Sequence, residues 1–337
     1  MAAWDFVLPP DRIAVRPPPT RDGGRLLVVP REGAFADRRI VDLPSLLAPG
    51  DLLVANDSRV MAARLEAHRA SGGRVEVLLL GAEGAVVPAL LRPARRLVAG
   101  EELTVAGGRV RVVSLPDADG IARVACEPGA AALMEASGAL PLPPYLGRGE
   151  EPADRERYQT VFAAPLGSSA APTAGLHLTP SLLAALAAAG VGFATVTLHV
   201  GIGTFRPPRP EDLARGELHP EPWWVPDATA RAVAATRARG GRVIAVGTTS
   251  ARVLESAAGE DGLLAPGQGT TRLFVRPGHA WRAVDGLLTN LHLPRSSLLL
   301  LVGALLGRER TLAAYEEAVT LGYRFYSYGD AMLLLPR

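Results

Sequence analysis

Short hydrophobic segments separated by glycine turns dominate the first 150 residues of the chain. The segments Arg25–Pro30 and Asp51–Asp57 have the extended or continuously apolar character of buried strands. From about His68, five strand-like segments follow at short intervals, with glycine turns and little helical periodicity between them: GRVEVLLLG, AVVPALLRP, EELTV, RVRVVSL and GIARVACE. This pattern predicts a small antiparallel barrel or sandwich that ends near Pro141–Tyr145.

After Glu150 the pattern changes to alternating helices and strands. Pro180–Ala189 predicts a helix that stops at Gly190 before the strand VGFATVTLHV, and Thr229–Arg239 predicts another before the strand RVIAVGTT. The later part predicts a strand TRLFVRPG, the segment DGLLTNLHLP, helices from Arg295 to about Leu306 and from about Thr311 to Leu321, and a terminal strand at Ala331–Leu335.

These two patterns together predict a mixed α/β main domain with an inserted small antiparallel β-barrel domain. The main domain would be discontinuous, formed by residues 1–67 and 150–337, and the insertion would cover residues 68–149. A length of 337 residues, 48% of them hydrophobic, is enough for a buried core and favours two domains over one.

The composition excludes some kinds of covalent chemistry but does not identify a binding partner. All 36 basic residues are arginine, which excludes a lysine Schiff base, and a net charge of +2 permits an RNA partner without requiring one. The single cysteine, Cys126, excludes an internal disulfide. The first residues lack the pattern of a signal peptide, and the apolar run near Leu298–Leu306 is too short to cross a bilayer, so we expect a cytoplasmic protein without a membrane anchor. We expect a monomer, since no heptad pattern indicates an interface.

Polar and aromatic residues are concentrated in GYRFYSYGDAM, at Gly322–Met332. Tyrosines beside an arginine are able to stack on or hydrogen-bond a nucleobase; alternatively, the rings are half-buried and form only a wall.

A strand, a Gly-Thr-Thr-Ser turn and a helix are predicted at Arg242–Ser256. With Thr248, Thr249 or Ser250 as cap, the first amides of that helix would favour an anion, although most caps serve only their helix. Arg252 and Glu255 lie three residues apart and are expected to pair on the helix surface.

Three histidines, His177, His199 and His292, lie in motifs with threonine or glycine neighbours: PTAGLHLT, VTLHVGIGTF and LLTNLHLP. Each is either a general acid or base near neutral pH or a structural hydrogen-bonding group. The chain has no HExxH or CxxC motif, and His219–Glu221 is too little for a metal site, so we expect no metal. Gly201–Gly203 follows a strand as in a Rossmann methyltransferase, but Thr204–Pro208 does not start a helix, which disfavours that fold.

A resemblance extends the interpretation over nearly the whole chain. The segments GDLLVANDSRVMAARL, GGRVEVLLLG, PLPPYLGR, DRERYQTVFA, SSAAPTAGLHLT, VTLHVGIGTFRP, VIAVGTTSARVLES, VDGLLTNLHLP and YRFYSYGDAMLL resemble, in this order, the S-adenosylmethionine:tRNA ribosyltransferase-isomerase family. The resemblance implies an α/β domain with an inserted β-barrel. It also implies a transferase and isomerase of tRNA queuosine biosynthesis, with S-adenosylmethionine as co-substrate, no bound prosthetic group, and a tRNA bearing a deazaguanine wobble base as acceptor.

The reaction that the resemblance implies moves the ribosyl part of S-adenosylmethionine onto 7-aminomethyl-7-deazaguanine in tRNA, giving epoxyqueuosine with release of adenine and methionine. It needs a base for the proton beside the sulfonium and an acid for adenine departure. The matched catalytic candidates, whose roles stay open, are His177, His199, His292 and Asp330. The matched candidates for substrate binding are Asp57, Arg59, Arg64, Tyr158, Gln159, Thr173, Thr248, Thr249, Arg252, Asp285, Asn290, Arg324 and Tyr326.

The sequence departs from the family pattern at three places. Arg295 replaces a lysine, the segment Glu217–Glu221 retains only part of a His-x-His-x-Glu pattern, and aromatic residues are absent beside His177 and His292. Two alternatives therefore stay open. One is an enzyme that uses S-adenosylmethionine with a non-queuosine acceptor, and the other is a non-catalytic tRNA-binding protein, which would show salt-dependent binding and no adenine release.

Overall fold

The computed structural model describes residues 2–204 and 214–335. In chain order its strands are β1 (Arg25–Pro30), β2 (Ala36–Arg39), β3 (Leu52–Asn56), β4 (Arg59–Val60), β5 (Arg64–Arg69), β6 (Arg74–Leu79), β7 (Val87–Arg92), β8 (Glu102–Val105), β9 (Gly108–Ser114), β10 (Ala122–Glu127), β11 (Leu166–Ser168), β12 (Gly192–Leu198), β13 (Glu217–Val225), β14 (Val243–Val246), β15 (Gly267–Leu273), β16 (Gly286–Asn290) and β17 (Ala331–Leu335).

The helices connect and cover these strands. The α-helices comprise Leu43–Leu46, Ala130–Ser137, Asp154–Arg157, Pro180–Ala188, Asp227–Ala238, Thr248–Ala257, Ser297–Leu306 and Arg308–Thr320. Short 3₁₀ turns comprise Ala2–Trp4, Pro10–Arg12, Ile40–Asp42, Pro144–Leu146, Thr173–His177 and Ile202–Thr204. Within the described ranges, no helix combines the length and the hydropathy needed to span a membrane.

A nine-stranded sheet with the order β15-β13-β12-β3-β14-β16-β17-β1-β2 forms the centre of the fold. Strands β12, β3, β14 and β16 are mutually parallel, and β17 runs antiparallel to β16. Every residue of β3 is buried; Leu52 and Val54 face one hydrophobic cluster, whereas Leu53 and Ala55 face another. A parallel strand with both faces covered reads as a continuous apolar run, which is why this segment was predictable.

Six strands, β5 to β10, close into an antiparallel barrel with its own hydrophobic core. The five segments predicted as strands each form one of these strands, and β5 completes the circle. Helix Ala130–Ser137, which the sequence did not predict, packs against β5 and β10. The predicted fold class, a mixed α/β domain with a small antiparallel β-barrel, is confirmed.

Several element boundaries differ from the predictions. The helix expected to begin at Arg295 begins at Ser297, because Ser296 accepts the Leu299 amide as its cap. The next helix begins at Arg308, three residues earlier than expected, and β15 begins four residues before the predicted start at Thr271. Strand β13 was not predicted at all.

One edge of the central sheet collects the chain segments that carry the predicted chemistry. The carboxyl ends of β12, β3, β14 and β16 lie at this edge, together with the amino ends of β17 and β1. In open α/β sheets, ligands bind outside the carboxyl ends of the parallel strands. The fold therefore indicates where the site should be, before any side chain is considered.

Candidate active site

His177 lies at this edge, at the end of the Thr173–His177 turn, and its imidazole is held from two sides. Its Nε2 lies 3.2 Å from Nδ2 of Asn290, the last residue of β16, and its ring also hydrogen-bonds the backbone of Arg21. Thr173 donates to Oδ1 of Asn290 at 3.0 Å, which fixes the orientation of the amide. Burial lowers the pKa of His177 to about 4, so the ring is neutral at physiological pH.

Asp330 immediately precedes β17 and accepts hydrogen bonds from two backbone amides. Its Oδ1 accepts from Arg25 at 2.9 Å and its Oδ2 from Arg324 at 2.7 Å. The side chain is buried, and its charge opposes the fall in the pKa of His177. This carboxylate therefore ties the start of β17 to β1 and supplies negative charge beside a histidine.

Aromatic residues surround the same region, mostly as buried walls. Tyr323 and Tyr328 are buried, and their hydroxyls donate to Asp37 and Asp154. Tyr326 is only half-buried; it has a positive φ of 77° and its ring meets that of Tyr145 edge-on, with centroids 4.1 Å apart. A non-glycine residue in this backbone region marks a strained position, which is often functional.

His199 follows β12, at the other end of the same edge. Its ring is half-buried, Nδ1 is shielded from solvent, and no hydrogen bond to either ring nitrogen is formed by any described residue. Burial lowers its pKa, and the nearby charge of Asp57 opposes that effect. Thr197 donates to Asp57 at 2.7 Å. A neutral ring without committed nitrogens is the form that a general base requires.

The two histidines lie at opposite ends of the sheet edge formed by the carboxyl ends of β12, β3, β14 and β16. β12 and β16 are separated by β3 and β14 in the sheet, so the ends of the two strands lie roughly 14 Å apart, three strand spacings. A molecule that contacted both would therefore be extended.

The amino end of helix Thr248–Ala257 lies between them, after β14. Gly247, with a φ of 87°, precedes the helix, and no side chain caps it. The predicted hydroxyl cap is therefore wrong: Ser250 donates to the Val246 carbonyl instead, and the buried hydroxyl of Thr249 has no hydrogen-bond partner among the described residues. A helix start whose amides lack a capping side chain, beside an unpartnered hydroxyl, is suited to a carboxylate.

Arg252 and Glu255 do not pair on the surface of this helix, as the sequence predicted; both are buried. Arg252 forms an ion pair with Glu221 of β13, and Glu221 also accepts the Gly201 amide. Glu255 accepts from His279 and from the amides at 282–284. Arg252 therefore holds the loop after His199 through Glu221.

His292 is buried two residues beyond β16. Thr289 lies 3.0 Å from its Nε2, and the Tyr315 hydroxyl bonds its backbone amide. Burial lowers its pKa to about 3. Its surroundings fit the structural alternative better than a proton-transfer role.

Several predicted binding residues lie away from this edge of the sheet or form hydrogen bonds or ion pairs elsewhere. Asp285 is at the opposite end of β16, where it pairs with Arg237, and Arg64 lies in the barrel beside Glu76. Tyr158 is fully buried, and the amide of Gln159 bonds both backbone groups of Val60. Two arginines complete the set: Arg59 is exposed in β4, and Arg324 donates to the Tyr328 carbonyl.

Three residues that contact His199 or its neighbours were not predicted: Asn56 bonds Leu198, Gly167 lies against the His199 ring, and Glu221 accepts the Gly201 amide. Asn56 is inside the quoted motif GDLLVANDSRVMAARL, but nothing in a single sequence separates it from a core strand residue. Gly167 and Glu221 act through residues far along the chain, which no local pattern reveals.

Within residues 2–204 and 214–335, no group of three or more His, Cys, Asp or Glu side chains could hold a metal ion. Residues 205–208, whose sequence disfavours a Rossmann methyltransferase loop, lie outside the described part of the chain.

Comparisons with known proteins agree on one family. The family model described as "Queuosine biosynthesis protein" matches residues 1–334. Proteins named S-adenosylmethionine:tRNA ribosyltransferase-isomerase from Anaeromyxobacter dehalogenans and Gloeobacter violaceus are 52% and 53% identical, over 100% and 99% of this chain and 99% and 95% of their own lengths. A crystal structure of an S-adenosylmethionine tRNA ribosyltransferase from Thermotoga maritima is 34% identical, with a TM-score of 0.57, covering 99% of this chain and 100% of that one.

Proposed function

The chain belongs to the queuosine biosynthesis protein family, and we propose that it is an S-adenosylmethionine:tRNA ribosyltransferase-isomerase. We further propose that its reaction takes place along the edge of the central sheet where the parallel strands have their carboxyl ends. It transfers and isomerises the ribosyl moiety of S-adenosylmethionine onto 7-aminomethyl-7-deazaguanine in tRNA and releases adenine and methionine. The observation that supports this most strongly is about 50% identity over the full length of named relatives. Neither a non-queuosine acceptor nor a non-catalytic tRNA-binding protein is favoured by these comparisons.

His199 is our candidate for the base that removes the proton from the carbon beside the sulfonium. Of the three predicted catalytic histidines, it is the one whose two ring nitrogens both lack a hydrogen bond to the described residues. Its lowered pKa keeps it neutral near pH 7, and Asp57 would stabilise the imidazolium once the proton is taken up.

The start of helix Thr248–Ala257 is our candidate for the methionine carboxylate of S-adenosylmethionine. The helix offers uncapped amides and the buried Thr249 hydroxyl, and the partial positive charge of a helix start favours an anion. It follows β14, next to β3 in the sheet, so a carboxylate bound there would leave the sulfonium free to lie toward Asp57 and His199.

The part of the sheet edge near β16 is our candidate for nucleobase binding. Tyr326 and Tyr145 supply a partly accessible aromatic corner, and Asp330 supplies negative charge. Asn290 and His177 are committed to each other in this structure, so we assign them to holding this wall rather than to reading base edges.

The product distinguishes this function from every other use of S-adenosylmethionine. The purified chain is incubated with S-adenosylmethionine and tRNA carrying 7-aminomethyl-7-deazaguanine, and the tRNA is digested to nucleosides for mass spectrometry. We expect epoxyqueuosine, with equal amounts of adenine and methionine. A methylated base, or no change in the tRNA, would contradict the assignment. We further propose that the enzyme acts in the cytoplasm as a monomer; sedimentation at working concentration tests the second point.

A further inference from the structure

Gly167, the central residue of β11, lies against the imidazole of His199. A Cβ atom placed on Gly167 would come within 2.8 Å of both Cε1 and Nδ1 of that ring and within 2.9 Å of Nε2. Contacts this short, to three ring atoms at once, mean that the ring lies flat across the glycine. Any side chain at position 167 would force the imidazole to move.

The backbone on both sides of His199 is clamped by side chains from two other segments. On one side, Asn56 accepts the Leu198 amide and donates to the Leu198 carbonyl, each at 3.0 Å. On the other side, Ser168 accepts the Val200 amide at 2.9 Å, and the Ser169 amide donates to the Val200 carbonyl at 2.8 Å. All these bonds restrict the backbone of His199 and leave its ring free of hydrogen bonds.

The ring itself is the unusual part of this arrangement. A buried imidazole nitrogen normally finds a hydrogen-bond partner, because leaving one unsatisfied is destabilising. Nδ1 of His199 is shielded from solvent and has none among the described residues. A rigid backbone combined with a ring that the described residues leave without hydrogen bonds is what a positioned proton acceptor needs.

We propose that Gly167 is a positioning residue for His199: its missing side chain provides the flat surface on which the imidazole lies, and the clamps from Asn56 and Ser168 hold that ring toward the reacting carbon. This inference rests on the proposed function, in which His199 accepts the proton beside the sulfonium. It assigns to the two-stranded sheet of β4 and β11 the task of supporting the base.

Gly167→Ala tests the contact, and Gly267→Ala is its matched control. The two glycines have φ angles of +156° and +140°, so alanine meets a similar backbone penalty at both, but a Cβ at Gly267 meets no atom within 4 Å. The measurements are kcat and KM for S-adenosylmethionine, from adenine release with the deazaguanine tRNA, and the thermal midpoint of each variant. Ser168→Ala is a second variant, which loosens one clamp without adding an atom.

We expect Gly167→Ala to lower kcat by at least tenfold relative to Gly267→Ala while KM changes less than about twofold, because a displaced base affects proton transfer more than binding. Ser168→Ala should also lower kcat and likewise change KM by less than about twofold. In a His199→Asn background, Gly167→Ala should cause no further loss.

The outcomes separate this inference from the function on which it rests. Wild-type turnover with equal kcat in Gly167→Ala and Gly267→Ala, or an equal further loss in the His199→Asn background, would overturn the positioning role alone. If Gly167→Ala does not fold, an unchanged kcat in Ser168→Ala would overturn it. Absence of adenine release by the wild-type chain would overturn the proposed function and this inference with it.

Discussion

The amide of Asn290 and the imidazole of His177 form one hydrogen-bonded unit, with Nδ2 of the amide 3.2 Å from Nε2 of the ring. Since Thr173 donates to Oδ1 of Asn290, the amide nitrogen is the donor to the ring, and it also donates to the Tyr326 carbonyl at 3.2 Å. His177 therefore accepts at Nε2 and carries its proton on Nδ1. The strained turn at Tyr326 depends on the same amide.

Asn290→Asp should uncouple this unit. A carboxylate cannot donate to either partner, and it places a buried negative charge beside Asp330, so we expect a loss of about 2–4 kcal/mol in the free energy of unfolding near neutral pH. Thr173→Val is the milder comparison, because it removes only the hydroxyl that donates to Oδ1 of Asn290 and keeps the amide nitrogen that donates to His177. The free energy of unfolding should fall by about 1 kcal/mol. Urea unfolding measures both. Equal losses would show that the amide does not have the orientation described.

The buried histidines predict a loss of stability in mild acid. The pKa of His177 is lowered to about 4 and that of His292 to about 3, from an ordinary value near 6.5. Between the folded and the unfolded pKa values, the unfolded chain binds protons that the folded chain does not. The free energy of unfolding is therefore highest above about pH 6.5 and decreases as the pH falls toward 4. The contribution of His177 alone is on the order of 3 kcal/mol.

Thermal midpoints of the wild-type chain and of His177→Asn, measured at about pH 7.5 and about pH 5, check this prediction. Carboxylates also titrate in this range, so the comparison between the two proteins carries the test. The variant should lose less stability between the two pH values. The same slope in both proteins would contradict the assigned pKa direction.

Removing one partner of the ion pair between Arg252 and Glu221 should lower the free energy of unfolding strongly, whereas replacing both partners should lower it little. Arg252→Met leaves a buried carboxylate, and we expect a loss of about 3–5 kcal/mol; the double variant Glu221→Gln/Arg252→Met should recover most of it, because glutamine still accepts the Gly201 amide. The exposed pair of Arg16 with Glu151 is the control, and Arg16→Met should leave the free energy of unfolding almost unchanged, because solvent screens an exposed ion pair. A double variant as unstable as Arg252→Met would contradict the pairing.

The Thr249 hydroxyl offers a test of carboxylate binding. Because this hydroxyl is buried without a partner, Thr249→Val should leave the thermal midpoint unchanged or slightly raised. If it bonds the methionine carboxylate, KM for S-adenosylmethionine should rise about fivefold, equivalent to ~1 kcal/mol. Ser250→Ala removes a hydroxyl that donates to Val246 at 2.7 Å, so it should lower stability and leave KM unchanged. The reverse pattern would place the carboxylate elsewhere.

The elements that the sequence predicted well are those whose pattern is local. The terminal strand at Ala331–Leu335 has the predicted bounds, and the barrel strands alternate between buried and exposed residues over short lengths. Strand β13 was missed because Pro220 and Pro222 lower its strand propensity. Pro220 lies where the register shifts between Glu217 and Glu221, whereas Pro222 is paired with Thr270.

The site was harder to predict because its partners come from distant parts of the chain. Arg252 and Glu221 are 31 residues apart, and Asn290 and His177 are 113 residues apart. Asp285 illustrates the opposite error: it is close to Asn290 in sequence, but strand β16 carries the two residues to opposite edges of the sheet. Motifs identify which segments carry chemistry, whereas the topology decides which residues meet.

Adenine release from S-adenosylmethionine, compared between the wild-type chain and His199→Asn, tests the central claim most directly. We expect wild-type release to require tRNA carrying 7-aminomethyl-7-deazaguanine, and His199→Asn to lower its rate by about a hundredfold or more, the usual effect of losing a general base. Wild-type release that ignores the tRNA, or full activity in His199→Asn, would contradict it.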